Sequence, residues 1–312
     1  MKKICIVGSL NTDIIITTQK YPNRGENISG EKGMVLSGGK GGNAATAVAK
    51  LGKEPVLISS VGADYFGDNL LADLRNNRID ITSVKRTPLA GTGLTTIIID
   101  AIAERTMVNA PGANALLSAA DIDRTAERIK ECGVLLAQLE VAEEAVVQAM
   151  KYAKEYGLLV IVDPAPVEGI TMRAIRYADI LIPNEQETKY LTGIDVNGVD
   201  DAVEACRYFE TIGIHNSIIK MGHRGALVYA SGHWEFIDAI PVEAVDTVVG
   251  DTFSGALACS LSEGKNLFQA ARFASVVSAL KVTRLGPQIG IPTIEEVEKF
   301  IDERNLQRFL MT

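Results

Sequence analysis

Asp246 and Asp251 bracket the start of the segment Asp246-Thr-Val-Val-Gly-Asp-Thr-Phe-Ser-Gly-Ala-Leu257, which joins two carboxylates to an apolar stretch rich in small residues. Beyond Gly250, the residues Phe253, Ala256, Leu257 and Leu261 recur at helical spacing, so the loop is expected to open a helix. Gly250 and Asp251 would then stand at its start, where unpaired N–H groups and the positive end of the helix dipole face outward. Such an end accepts an anion. A carboxylate beside it suits phosphoryl transfer: the N–H groups hold charge on the moving phosphoryl group while Asp251 takes the proton of an attacking hydroxyl. The plainer alternative is that Asp251 caps the helix, a position Asp favours. On this segment alone both readings stay open.

A second candidate is Ser37-Gly-Gly-Lys-Gly-Gly-Asn43. It is no phosphate-binding P-loop, because glycine follows Lys40 where Ser or Thr is required, and it does not supply G-x-G-x-x-G. Its glycines would let backbone approach a polar ligand, with Asn43 offering hydrogen bonds, or would simply make a tight turn before a helix. Asn11 and Asp13 follow an apolar run at 4–7, the place where open α/β sheets bind ligands and also where turns form. Glu140 lies just beyond an expected strand at 134–139. Asn184 and Glu187 lie beyond another at 180–182, although Asn184 taken alone reads as a helix N-cap. If these strands share one sheet, a single edge gathers Asn11, Asp13, Glu140, Asn184, Glu187 and Asp251 into one cleft.

The elements needed for that arrangement can be read along the chain. Strands are expected at 4–7, 55–61, 134–139, 158–162, 180–182 and 217–220, and helices at 44–51, 65–76, 121–130, 143–156, 172–176, 185–191 and 199–212. Strands alternating with helices call for a parallel sheet covered on both faces. A β-rich excursion is expected from two separated insertions, at about 14–37 and 91–111. A hairpin at 226–237 and three closing helices complete the chain. The 312 residues show no repeat, low-complexity tract or linker, so a single α/β domain is expected.

Composition narrows the function. A net charge of −8 argues against a general nucleic-acid or membrane-surface binder. Cys5, Cys132, Cys206 and Cys259 lie far apart, and His215, His223 and His233 have no metal-ligand spacing, so buried thiols in the cytoplasm are expected. No apolar run approaches the length of a membrane span, and the N-terminus reads as a strand and not a signal peptide.

Taken in order, the motifs resemble the PfkB carbohydrate kinases, the ribokinase-like sugar kinases, over essentially the whole chain. The N-terminal signature is Gly8-Ser-Leu-Asn-Thr-Asp13 with Gly38-Gly-Lys-Gly-Gly-Asn43. The middle is Ala137-Gln-Leu-Glu140, Asp163-Pro-Ala-Pro166 and Pro183-Asn-Glu-Gln-Glu187. The C-terminal signature is Val245 to Leu257, followed by Thr283-Arg-Leu-Gly286. Within the family, the chain is most similar to the ribokinase branch.

That resemblance implies a three-layer α/β/α fold with a small β-sheet lid over the sugar, a lid that also pairs two subunits. It implies transfer of the γ-phosphate of ATP to the hydroxymethyl group of a pentose, foremost D-ribose, with Asp251 as base and Gly250 at the anion hole. Asn11, Asp13, Gly39, Lys40, Asn43 and Glu140 would hold the sugar. Asn184, Lys220, Gly222 and Gly225 would serve the nucleotide, with Glu187 organising Mg2+. Asp246, with the carbonyls of Val248, Lys281, Arg284 and Gly286, would hold a monovalent cation, K+. Alternative substrates are a nucleoside, fructose or a keto-deoxy sugar acid.

One departure stands out. The stretch from Asp246 to Asp251 is one residue shorter than the family's pattern and carries two valines in place of small residues. A shorter loop could remove one N–H donor from the anion hole, a loss that costs on the order of 10²–10³ in rate. A weakly active relative or a sugar sensor without transfer activity is therefore the alternative from a different class.

Overall fold

The computed structural model describes residues 2–102, 104–246 and 248–311; Ala103 in the second insertion and Thr247 in the acidic loop lie outside the described residues. In chain order the strands are β1 (Lys3–Val7), β2 (Asn11–Thr17), β3 (Lys32–Gly38), β4 (Pro55–Gly62), β5 (Val84–Thr87), β6 (Gly93–Ile99), β7 (Arg105–Ala110), β8 (Cys132–Gln138), β9 (Leu159–Asp163), β10 (Ile180–Leu181), β11 (Asn216–Lys220), β12 (Gly225–Ala230) and β13 (His233–Asp238). Nine form one sheet in the order β13-β12-β11-β10-β9-β8-β1-β4-β5, and four form a separate sheet in the order β3-β2-β6-β7.

The large sheet is parallel from β11 through to β5, with β12 and β13 added antiparallel at one edge. Its inner strands are apolar runs because both faces are covered. Ile4, Ile6, Leu57, Leu136, Ile161 and Ile218 point into one core with Ala44, Val48, Ala256, Leu257, Ala274 and Val277 of three helices. Their neighbours Cys5, Val7, Leu135, Ala137, Val160 and Val162 point into the other core, with Val146, Met150, Val203 and Phe209. Period-two alternation along each strand thus fills two layers at once.

The small sheet is the expected β excursion. Paired residues share a face, so Asp13, Leu36, Thr95 and Asn109 stand side by side on one face, and Ile14, Val35, Thr96 and Val108 on the other. The first face turns its polar members toward the carboxyl edge of the large sheet. On the second, Ile16, Val35 and Val108 are exposed.

Several elements differ from their sequence expectation. Asn11 and Asp13 belong to β2 and not to a loop. The helix expected from 44 begins at Lys40, so most of the glycine-rich segment is its first turn. The helix expected over 121–130 breaks at Thr125 into Ala119–Arg124 and Ala126–Lys130, and the Thr125 hydroxyl donates to the Ile122 carbonyl at the break. β5, a short edge strand with two adjacent basic residues, gave no alternation to read. Four helices, not three, close the chain: Gly250–Ser262, Leu267–Val282, Ile294–Glu303 and Gln307–Met311.

Gly39 makes the start of the helix Lys40–Lys50 possible. Its φ is 84°, and a Cβ there would stand 2.5 Å from the Asn11 nitrogen and 2.7 Å from the Ser9 oxygen. The glycine run therefore serves backbone-on-backbone packing: a Cβ on Gly41 would also lie 2.6 Å from the Gly8 carbonyl carbon. Gly39→Ala is expected to destabilise the fold by roughly 2–3 kcal/mol, combining left-handed strain with overpacking, as read by urea denaturation. A change within about 0.5 kcal/mol would show that this junction tolerates a side chain.

Candidate functional site

Five adjacent parallel strands, β1, β8, β9, β10 and β11, deliver polar residues at their carboxyl ends. After β1, the Ser9 hydroxyl donates to the Glu140 carboxylate and accepts the Lys40 N–H at 3.0 Å. Glu140, following β8, also accepts Asn109 Nδ2 at 3.0 Å and Asn11 Nδ2 at 3.4 Å. One carboxylate thereby joins the large sheet to two strands of the small one. Asn114 locks the turn into β2: it donates to the Asn11 side-chain oxygen at 2.8 Å and brackets the backbone of Leu10 with bonds of 3.0 and 3.1 Å.

Asp251 lies in the first turn of the helix Gly250–Ser262. The N-cap of that helix is Val249, and no side chain caps it. The capping alternative for Asp251 is therefore set aside: its carboxylate instead accepts Asn43 Nδ2 at 2.9 Å, across from the helix Lys40–Lys50. Gly255 brings the two helices together, since a Cβ there would lie 2.9 Å from the Ala44 oxygen. The other side-chain atom of Asn43, Oδ1, is buried with no hydrogen-bond partner among the described residues. A buried amide oxygen in that state is an acceptor awaiting a donor.

Asp163, at the end of β9, accepts Lys220 Nζ at 2.8 Å and the Ser254 hydroxyl at 2.5 Å. Lys220 ends β11, and its ammonium stands 3.8 Å from where a Cβ on Gly250 would be. Asn184 and Glu187 form a reciprocal capping box: Asn184 Oδ1 accepts the Glu187 N–H, while the Glu187 carboxylate accepts the Asn184 N–H at 2.7 Å and Nδ2 at 2.9 Å. Both the cap reading and the edge reading of Asn184 therefore apply. Gly222 has φ 57° and opens a short turn facing open space. Gly225 instead serves the β12–β13 hairpin, where a Cβ would lie 2.1 Å from the Ile237 oxygen.

These groups share one electrostatic environment. Burial pushes the Asp13 carboxyl up to about 7; the charges of Glu140 and Asp251 add to this, while the Thr95 hydroxyl and Lys40 oppose it. Burial also raises Asp251, against the pull of Lys40 and the Asn43 bond. Glu187 is raised by burial, with Lys220 opposing. Burial acts to lower both lysines, yet Asp251, Glu140, Asp163 and Glu187 together hold Lys40 above its ordinary value, and Asp163 and Glu187 do the same for Lys220. A carboxylate whose pKa is raised by burial holds a proton more readily than a solvated one, which suits a proton acceptor.

At the expected monovalent-cation site, the contacts of Asp246 are made by hydrogen-bond donors. Asp246 Oδ2 accepts the ammonium of Lys281 at 3.0 Å and the Gly286 N–H at 3.1 Å, and Oδ1 accepts the Val248 N–H at 3.0 Å. Arg105 of β7 stands 3.5 Å from Oδ1. Lys281 contributes its side chain to this carboxylate, where a carbonyl was expected, and Gly286 contributes its amide. The carbonyl of Arg284 faces the same ammonium at 3.5 Å.

Ser9, Thr95, Asn109, Asn114, Asp163 and Ser254 help to build the site and were not singled out from the sequence. Asp163 stood in a quoted motif without a role. Asn109 and Thr95 depend on strand register in the small sheet, which no local pattern reveals.

The shift of Asp13 has a consequence for stability. Its carboxyl titrates at 3.8 when unperturbed and at about 7 in the fold, so its stabilising effect is fully present below 3.8 and is lost as pH rises through about 7. Asp13→Asn is therefore expected to gain roughly 2–4 kcal/mol on the native protein at pH 8 and almost nothing at pH 4. Urea denaturation of both proteins across this range is the check. A difference that does not change with pH would show that Asp13 is solvated.

The pfkB family carbohydrate kinase model matches residues 1–294. The chain is 33% identical over 302 residues to a ribokinase of Haemophilus influenzae, covering 96% of this chain and 99% of that one. It is 34% identical over 300 residues to a deoxyribokinase of Salmonella typhi, covering 96% and 98% respectively. Among solved structures, Arabidopsis thaliana ribokinase complexed with ribose and ATP superposes with a TM-score of 0.88 at 28% identity, over 96% of this chain and 98% of that one. Ribokinase from Thermotoga maritima gives 0.86 at 35% identity, over 97% and 100%. With the ordered motifs gathered on one sheet edge, these likenesses show that the chain belongs to the pfkB family of carbohydrate kinases and is an ATP-dependent sugar kinase.

Proposed function

We propose that this kinase transfers the γ-phosphoryl group of ATP to the hydroxymethyl group of D-ribose, giving ribose 5-phosphate. The observation that carries this is Asp251: a buried carboxylate in the first turn of an uncapped helix, bonded to Asn43 and within the field of Lys40. As the new O–P bond forms, the hydroxyl proton passes to Asp251 and the bond from the γ-phosphorus to the bridging oxygen breaks, releasing ADP. The N–H groups of Gly250 and its neighbours stabilise the charge of the phosphoryl group in flight, joined by Lys220 beside Gly250.

Asn11, Asp13, Lys40, Asn43 and Glu140 supply the sugar's hydrogen bonds, with Gly39 shaping the turn that carries Lys40. The partnerless Asn43 Oδ1 supports this, because a hydroxyl would satisfy it. The small sheet acts as the lid: Asn109 and Thr95 reach the same carboxylate and asparagine from above, and closure excludes water that would compete for the phosphoryl group. Its other face, with Ile16, Val35 and Val108 exposed, supports pairing with a second copy.

Asn184, Gly222 and Gly225 border the nucleotide side of Lys220. Among the described residues, no three His, Cys, Asp or Glu side chains gather as a cage for a metal ion. Glu187 and Asp163 are instead spaced among hydrogen-bond donors, which fits a Mg2+ that arrives on the phosphates and keeps waters. Bound there, it would neutralise charge on the β- and γ-phosphates. The four cysteines are free and buried, in keeping with a cytoplasmic enzyme. No helix among the described residues is long and apolar enough to cross a membrane.

The likeness to a deoxyribokinase gives 2-deoxy-D-ribose as the second candidate substrate. A panel of D-ribose, 2-deoxy-D-ribose, a nucleoside, fructose and a keto-deoxy sugar acid, read by ADP formation, separates the possibilities. The reading expects D-ribose to be preferred; no turnover with either pentose would refute it. Asp251→Asn is expected to lower turnover by about 10³ or more while leaving sugar affinity by calorimetry within about threefold, the pattern of a lost general base. Turnover near that of the native enzyme would remove Asp251 from the base role. Gly250→Ala is expected to fold, because the added Cβ meets nothing nearer than 3.8 Å. It should lose roughly 10²–10³ in turnover by crowding the anion site.

A further inference from the structure

Lys281 lies in the last turn of the helix Leu267–Val282 and is 0% exposed, one of the largest fully buried side chains of the protein. A buried ammonium requires a partner, and Asp246 is its partner at 3.0 Å, with the Arg284 carbonyl at 3.5 Å. An ionised carboxylate offers about four lone-pair directions. Here Lys281, the Gly286 N–H, the Val248 N–H and Arg105 approach them. A free monovalent ion placed on the same carboxylate would meet an ammonium already seated there.

The position also matters to the chemistry. The N–H groups of Val245 and Asp246 both donate to the Val282 carbonyl, at 2.8 and 3.0 Å, so the loop is pinned to the end of the lysine's own helix. Val248 is tied back to Asp246, Val249 is the N-cap, and at Gly250 the chain enters the helix that carries Asp251. The charge on Lys281 neutralises Asp246 and fixes the approach to the anion site in one contact.

We propose that Lys281 is a tethered cation that takes the place of a dissociable monovalent ion, making this kinase independent of K+. Lys281 is a positioning residue: it acts through the Asp246 loop and not by contact with sugar or nucleotide. The shortened loop and the lysine form one device, in which a covalently held charge supports a path that lacks one residue. The proposal rests on the phosphoryl-transfer reading only for its activity readout.

The test compares potassium, sodium and tetramethylammonium chloride at equal ionic strength, using the full chain, with turnover and melting temperature both measured. The native enzyme is expected to change in turnover by less than about twofold among the three salts and to show no potassium-specific stabilisation. Lys281→Ala, which leaves Asp246 without its charge partner, should lose at least about tenfold in tetramethylammonium and recover in potassium. Its melting temperature should rise by about 2 °C or more in potassium alone. A merely structural lysine would not give ion-specific rescue. Native turnover that rises about tenfold with potassium would overturn the proposal, as would a folded Lys281→Ala that potassium neither activates nor stabilises. If that variant does not fold, the native salt comparison decides. If the chain shows no turnover in any salt, the kinase reading fails, while the melting measurements still report on Lys281.

Discussion

Two half-buried ammonium groups, Lys40 and Lys220, hold five carboxylates together at the carboxyl edge of the sheet: Asp13, Glu140, Asp163, Glu187 and Asp251. Neither set could be buried without the other, because an unpaired charge in this environment costs several kcal/mol. The fold answers that constraint by placing adjacent parallel strands so that their ends converge. The hydrogen bonds of Ser9, Asn11, Asn43, Asn109, Asn184 and Ser254 then fix Glu140, Asp163, Glu187 and Asp251 in orientation. Burial and the excess of negative charge together explain why the Asp251 carboxyl sits high in pKa. A phosphate entering so acidic a cleft would need countercharge, which a divalent cation and a helix terminus can supply.

The same principle governs the neighbouring loop at smaller scale. Asp246 is half of an ion pair whose other half comes from the largely apolar helix Leu267–Val282. Replacing a diffusible ion by a side chain removes the entropic cost of recruiting it, and makes the loop's geometry independent of the medium. Arg105 extends this pairing to β7, so that the loop before the helix Gly250–Ser262 and a strand of the small sheet meet at one carboxylate. The position of the small sheet and the loop that leads into the helix Gly250–Ser262 are thereby linked through charge.

Much of this architecture was legible in the sequence. Fully buried parallel strands appear as apolar runs, and the helix Tyr65–Asn76 appears with its bounds intact because its Asp64 cap and amphipathic spacing agree. The resemblance to a known family supplied most of the cleft residues, which the structure brings to one edge. What stayed hidden depends on non-local geometry. The first turn of the helix Lys40–Lys50 was hidden by its glycines, whose purpose, close contact with Gly8 and Asn11, exists only once β1 and the helix are packed. Asn109 was hidden because its contact with Glu140 follows from register in the small sheet. Lys281 did leave a signal: it follows Ala274 and Val277 on the buried stripe of its helix, where a lysine demands a carboxylate partner.

The central claim is geometric: Asp251 faces both the sugar's primary alcohol and the terminal phosphate. A crystal structure with D-ribose and a non-hydrolysable ATP analogue measures this directly. The account predicts the hydroxymethyl oxygen about 2.6–3.2 Å from the Asp251 carboxylate, with the γ-phosphate against the N–H groups that open the helix Gly250–Ser262. A sugar seated with its hydroxymethyl group turned away from Asp251, or a γ-phosphate bound away from that helix, would contradict it.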